Sequence, residues 1–347
     1  MRNWIIFLLC AGLSLPPLGS RAVEASKPIK VSEAKPVQNS DLTVIKTLVA
    51  TPEEQIDLAT AKLTIDSVID PTVDAKAALA QLDSLASRVK SRFPNDATRQ
   101  IKLELLVTSL SQPGPWNDYQ PFSYDLDDPF GKDIRNKLIS TYLTTRKGNC
   151  VSMPILLVIL GQKLGLDITL ATAPEHVLAK FRNDKGQWIN IEATSFGTKR
   201  DASYQQEMAI TSQAMTNGIY LRPLSRRESV GVMLSTLMEF YRDRGKYIHQ
   251  IAVADLAIKI DPKDTMAILQ KGSAYYRMMK AARTEHAPSQ TAAHPEKQAD
   301  FETLRRSNIF WFQKAEALGW IEPTAKQNAA YQQVIQRTKA TYKGKER

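Results

Sequence analysis

Past residue 50 the apolar positions fall into helical order. Thr51-Pro52-Glu53-Glu54 has the form of a helix start, with a hydroxyl cap, proline at the first helical position and acids in the first turn. Ile56, Ala59, Leu63 and Val68 follow at near-helical spacing until Asp70-Pro71 stops the run. Ala77, Leu79, Leu82, Leu85 and Val89 predict a second helix, and Ile101, Leu103, Leu105, Leu106 and Leu110 a third, ended by Gln112-Pro113-Gly114-Pro115. Residues 51–115 therefore read as a helical bundle. The period resumes at Ile134, Leu138, Ile139, Tyr142 and Leu143. After a Gly148-Asn149 turn comes Ile155-Leu156-Leu157-Val158-Ile159-Leu160, apolar on every side and so expected in a domain core. Cys150 sits at or near the amino end of that helix.

The period then changes. Ile168–Thr172, His176–Phe181 and Trp188–Ala193 read as strands, the last two joined by a turn at Asn183-Asp184-Lys185-Gly186. Residues 116–224 thus form a core of buried helix plus antiparallel hairpin, and the fold class is α+β. From Glu228 the chain is helical again, with a turn at 245–247, a stop at Ile260-Asp261-Pro262 and a polar insert over 284–300 that reads as loop.

The amino end changes the picture. Arg2 precedes the apolar run Ile5–Leu13, prolines follow at 16 and 17, and small residues stand at Ser20, Ala22 and Ala25. This is the form of a secretory signal peptide over 1–25, followed by a flexible leader over 26–50. A periplasmic or secreted protein follows from that reading, with no membrane insertion after cleavage, since no apolar run approaches the ~20 residues of a spanning helix. Cleavage removes Cys10 and leaves Cys150 alone, so no internal disulfide can form.

Composition excludes little more. The 347 residues suggest two or three domains at roughly 150 residues each. With 43% hydrophobic and 24% charged residues the chain is globular rather than disordered. The formal charge of +10 is spread without a dense basic block, so nucleic acid is not an expected partner. Asp125, Asp127 and Asp128 could hold a cation, but carboxylates ahead of a helix more commonly meet its free amides. No metal and no cofactor is expected.

Cysteine chemistry needs a thiol, a base and a group that orients the base. A helix amino terminus favours the thiolate and offers amides to an oxyanion. Of His176, His249, His286 and His294, only His176 starts a strand in the domain that holds Cys150. A turn at 183–186 sets His176 opposite position 193, or opposite Glu192 in a register one residue shorter. Glu192 then completes a triad with Cys150 and His176. Each also has an ordinary reading: inert core thiol, surface histidine, solvated strand acid.

Gly148-Asn149-Cys150, Glu175-His176-Val177 and Trp188-Ile189-Asn190-Ile191-Glu192-Ala193-Thr194 resemble the transglutaminase-like superfamily, a papain-like cysteine fold. The resemblance implies Cys150 as nucleophile and His176 as base, with Glu192 where the family usually has aspartate. Ala61–Asp66, Pro113–Asn117, Tyr124–Pro129 and Asp133–Leu138 resemble a bacterial subgroup in which this core carries C-terminal tetratricopeptide-like helices. That likeness runs from about Thr51 to Ile260. With Pro262 set near the end of a 34-residue unit, Leu234, Leu237, Tyr241 and Ala257 take repeat positions, so 225–347 reads as a tetratricopeptide-like helical region.

The expectation is an exported amide hydrolase or acyl transferase with a Cys-His-Glu triad, acting through a thioester on a protein or peptide. The alternative is an inactive scaffold that binds a protein partner through the C-terminal helices. If residues 1–25 direct export, the intact mass of the exported protein will correspond to a chain starting near Val23 or Ser26. An exported chain still beginning at Met1 contradicts this.

Overall fold

The computed structural model describes residues 40–285 and 295–324. The expected signal peptide lies outside them, as does the leader up to residue 39. From Ser40 the leader is not flexible: α1 (Ser40–Ala50) is a helix whose Leu42 and Ile45 are buried. The polar residues before it diluted a stripe that Leu42, Ile45, Leu48 and Val49 carry.

The expected helix start at Thr51 is also corrected. Glu53–Gln55 form one 3-10 turn, and α2 (Leu58–Ile69) begins after Asp57, which accepts from Thr60 N at 2.7 Å. The Glu53 carboxylate instead accepts from Arg226 N at 2.7 Å and Arg227 N at 3.1 Å, capping a distant helix. Next come α3 (Ala75–Lys90), capped by Asp74, and α4 (Arg99–Ser111), capped by Thr98.

The short strands β1 (Ser123–Tyr124) and β2 (Lys147–Gly148) pair in parallel around a loop and α5 (Ile139–Thr145). In that loop Asp125 accepts from Asp127 N and Asp128 N, and Asp128 from Lys132 N, Asp133 N and Asn136 Nδ2. These acids close the loop on its own amides.

Helix α6 (Ser152–Lys163) is buried from Ser152 through Gly161. It lies between α3, α4 and α5 on one side and the sheet on the other. The sheet runs in the order β3 (Ile168–Ala173), β4 (His176–Arg182), β5 (Trp188–Glu192), β6 (Gly197–Lys199), all antiparallel. Val177, Ala179 and Phe181 of β4 join the core around α6, while Leu178 packs in a second cluster with Tyr204 and the C-terminal helices. Both faces of β4 are therefore covered, and its apolar run is continuous. The outer edge of β3 is closed by Leu221 N and Leu224 N, which donate to Thr172 O and Leu170 O.

Two short helices, α7 (Asp201–Glu207) and α8 (Ser212–Asn217), lead to α9 (Arg226–Asp243), which starts in a capping box of Ser225 and Glu228. Then follow α10 (Tyr247–Ile260), α11 (Thr265–Glu285) and α12 (Pro295–Ala317). The polar insert expected over 284–300 is helical at both ends, to Glu285 and from Pro295; residues 286–294 lie outside those described. Polar composition concealed the helix ends there. Among the described residues no helix is long and apolar enough to cross a membrane.

One buried ion pair ties the layers together. Lys62 and Asp66 are fully buried on α2 and bonded to each other. Asp66 also accepts from Ile139 N at 2.7 Å, capping α5, and Lys62 donates to Lys137 O at 3.0 Å. Burial pushes the Asp66 carboxyl up, against the pull of Lys62 and the Ile139 amide. Lys62→Met should therefore cost about 3–5 kcal/mol in denaturant unfolding, because it strands a buried carboxylate. The double variant Lys62→Met/Asp66→Asn should recover much of that loss.

Candidate active site

The start of α6 is built by Gly148 and Asn149. A Cβ at Gly148 would stand 2.6 Å from the Tyr142 ring and 2.7 Å from Met153 Cγ, so only glycine fits. Asn149 Oδ1 accepts from Val151 N at 3.0 Å and Ser152 N at 3.2 Å, its carbonyl accepts from Met153 N, and its Nδ2 donates to Asn136 O. Asn149 thereby satisfies the first free amides of the helix. This corrects one expectation: those amides are not open to an oxyanion. Cys150 is partly exposed, and among the described residues its own N–H makes no hydrogen bond.

His176 opens β4 after a Pro174-Glu175 turn in which Glu175 has φ of 57°. It is 6% exposed. Its Nε2–H donates to Glu192 Oε2 at 2.7 Å. The other ring nitrogen, Nδ1, is buried without a conventional hydrogen bond, and the Cys150 side chain acts on the same imidazole. Nδ1 is therefore the nitrogen left for the thiol.

The hairpin register differs from the expected one. Asn183 N donates to Gln187 O, so the turn is one residue longer than 183–186, and Ala179 stands opposite Ile191. Continued, that register sets Glu192 across from position 178. Glu192 and His176 are then diagonal neighbours on one face, a separation that a long side chain closes. Both glutamate oxygens are saturated. Oε1 accepts from Thr194 N at 3.2 Å and Thr194 Oγ1 at 2.7 Å; Oε2 accepts from His176 and from Tyr204 Oη at 2.7 Å.

Electrostatics follow from this packing. Burial opposes charge on His176, but Glu192 and the Cys150 side chain outweigh it, and the imidazole is pushed up to about 10. Burial likewise opposes charge on Glu192, yet His176, Thr194 and Tyr204 hold it down at about 2. Tyr204 is raised by burial and by the Glu192 charge it faces.

Cys150 opens into a cavity of about 170 Å³. Val151, Pro174 and Glu175 line its core side; α11 supplies the opposite wall with Met266, Gln270, Ser273 and Arg277. A smaller cavity of about 80 Å³ lies on the His176 side, against Met208, Ile210, Trp320 and Ile321. The structure thus brings Cys150, His176 and Glu192 together. Sequence reasoning missed Tyr204, whose helix is short and carries no period, and it missed the α11 wall. His249 lies on α10 against the Tyr241 ring, away from the pair. Among the described residues no cluster of metal-ligating side chains occurs.

A thiol at the mouth of a buried helix, facing a histidine–carboxylate pair on adjacent strands, defines a cysteine-centred α+β domain. Residues 76–235 match the model of the Transglutaminase-like superfamily, and the core is transglutaminase-like. No curated protein matches the chain.

The His176–Glu192 pair carries a pH signature. His176, raised from 6.5 to about 10, adds stability that is full below pH 6.5 and is lost as pH rises toward 10. Glu192, lowered from 4.5 to about 2, adds stability present above pH 4.5 and lost as pH falls toward 2. Both contributions are complete between 4.5 and 6.5. Urea unfolding of wild type and Glu192→Gln across pH should show the largest stability gap in that window, narrowing on either side.

Proposed function

We propose that this protein is an exported cysteine enzyme, an amide hydrolase or acyl transferase acting on a protein or peptide through a thioester. The observation that carries the reading is the buried His176 imidazole, bonded to Glu192 through Nε2 with Nδ1 left for Cys150. Export rests on the signal-like pattern of residues 1–25.

The chemistry runs in two halves. With the imidazole raised to about 10, His176 Nδ1 already holds the proton taken from Cys150, and Sγ attacks the amide carbon as the thiolate of that pair. The carbonyl oxygen becomes an oxyanion, for which the Cys150 N–H, unbonded among the described residues, is a donor. Collapse breaks the C–N bond, and His176 returns the proton to the leaving amine, leaving a thioester on Sγ. Water or a second amine then attacks the thioester, His176 takes and keeps the attacking group's proton, and Sγ departs as the thiolate, which restores the starting pair. Water gives hydrolysis; an amine gives transfer. Glu192 holds the imidazole in the Nε2–H tautomer and offsets its charge, and Tyr204 and Thr194 fix Glu192.

The tetratricopeptide-like reading of α9–α12 is kept as part of this proposal. Leu234, Leu237, Tyr241 and Ala257 are buried inside the molecule, which favours helices that complete the core and cleft over an open partner groove. Iodoacetamide alkylation of the folded, processed chain tests the enzyme reading. Cys150 should react in the folded state, His176→Ala should slow it by roughly tenfold or more, and Glu192→Gln should cost less. Alkylation that occurs only on unfolding, with no dependence on His176, would favour the scaffold.

A further inference from the structure

The wall that α11 sets over Cys150 bears on what the cleft binds. Met266, Gln270, Ser273 and Arg277 recur on one helical face and line the cavity together. Most charged groups in that lining are already answered. Lys137 pairs with Glu239. Arg242 donates to Asp243 at 2.8 Å and lies 3.9 Å from Glu239. Asp264 accepts from Ala267 N at 2.9 Å, as a helix cap does.

Arg277 is different. Among the described residues its guanidinium makes no hydrogen bond and no ion pair, and its Nε is buried with no acceptor. Glu175, the remaining acid of the lining, makes no hydrogen bond or ion pair with Arg277 among the described residues. A buried guanidinium N–H without an acceptor is costly, so such groups are rarely left unpaired. The open space in front of this one is the cleft that holds the thiol. A planar fork of N–H donors matches a carboxylate better than any other group a peptide offers.

We propose that Arg277 binds a carboxylate on the acyl donor, so that the enzyme selects peptides that present a carboxylate beside the reacting amide. This deepens the cysteine-enzyme reading and rests on it. The carboxylate comes either from an acidic side chain or from a free carboxyl terminus.

Four thiol-directed probes test the proposal on the folded, processed chain. Chloroacetyl-glutamic acid α-amide and chloroacetyl-glutamine α-amide differ by a side-chain carboxylate. Chloroacetyl-glycine and chloroacetyl-glycinamide differ by a terminal one. With each, Sγ displaces chloride, and the acid-to-amide rate ratio is divided by the same ratio for N-acetylcysteine. At least one pair should show a normalised preference for the acid of about tenfold, and which pair does so identifies the source. Arg277→Gln should bring that ratio to about one, and Arg277→Lys should keep part of it. Because the readout is a ratio, a general change in thiol reactivity cancels. A wild-type ratio near one in both pairs, or a raised ratio that Arg277→Gln leaves in place, overturns the carboxylate proposal alone. Failure of all four probes to modify folded protein removes the nucleophile reading, and this proposal with it.

Discussion

Helix α6 has no face to offer water, and the fold is arranged around that fact. Its residues from Ser152 to Gly161 are all buried, so it needs neighbours on every side. Helices α3, α4 and α5 cover one side, and β3 and β4 the other. A helix held on all sides has little freedom to slide or rotate, because close-packed interiors resist small displacements. Its amino end is therefore a fixed point, and Cys150 stands there on a Gly-Asn turn that admits no larger residue at Gly148. The sheet that covers α6 starts β4 with His176. One burial requirement thus positions both the thiol and the imidazole.

The histidine's partner depends on a different constraint, the pleat. Only residues of one parity on β4 and β5 share a face, and His176 and Glu192 do. They are diagonal rather than directly opposite, so a longer acid suits the span. Glutamate in place of aspartate supplies one more methylene, and Thr194 and Tyr204 hold the longer arm in place. The carboxylate has no spare lone pair facing apolar surroundings. That saturation is what makes a charged pair tolerable at this depth.

Much of this was legible in the chain, and the failures have physical causes. The apolar run at 155–160 announces a core helix, and the shift to alternation after Ile168 announces strands. Cys150, His176 and Glu192 emerge from those elements. The register differs from the expected one because Asn183 bonds to Gln187, and a turn's length is set by its backbone bonds, which composition does not display. Thr51-Pro52-Glu53-Glu54 misled for a related reason. Glu53 is a capping acid, but the helix it caps begins at Arg226. The wall of the cleft was invisible because no local period reports which residues of α11 line the cavity of Cys150; that cavity joins segments over a hundred positions apart.

The C-terminal helices have spent their apolar faces inward. Leu234, Leu237 and Tyr241 are buried in the core that also holds α6, and Ile268, Leu269, Tyr275 and Trp311 pack in a second cluster with Leu178 of β4 and Tyr204 of α7. Helices packed this way cannot also offer those residues to a passing peptide. What α11 leaves open is a polar stripe, and that stripe faces the thiol. The transglutaminase-like core holds Cys150 and His176, while α11, beyond residue 235 where the family match ends, lines the same cavity as Cys150. On the proposed reading, the groups that react and the groups that select belong to different parts of the chain, so selectivity could change along α11 without disturbing the packing that fixes Cys150 and His176.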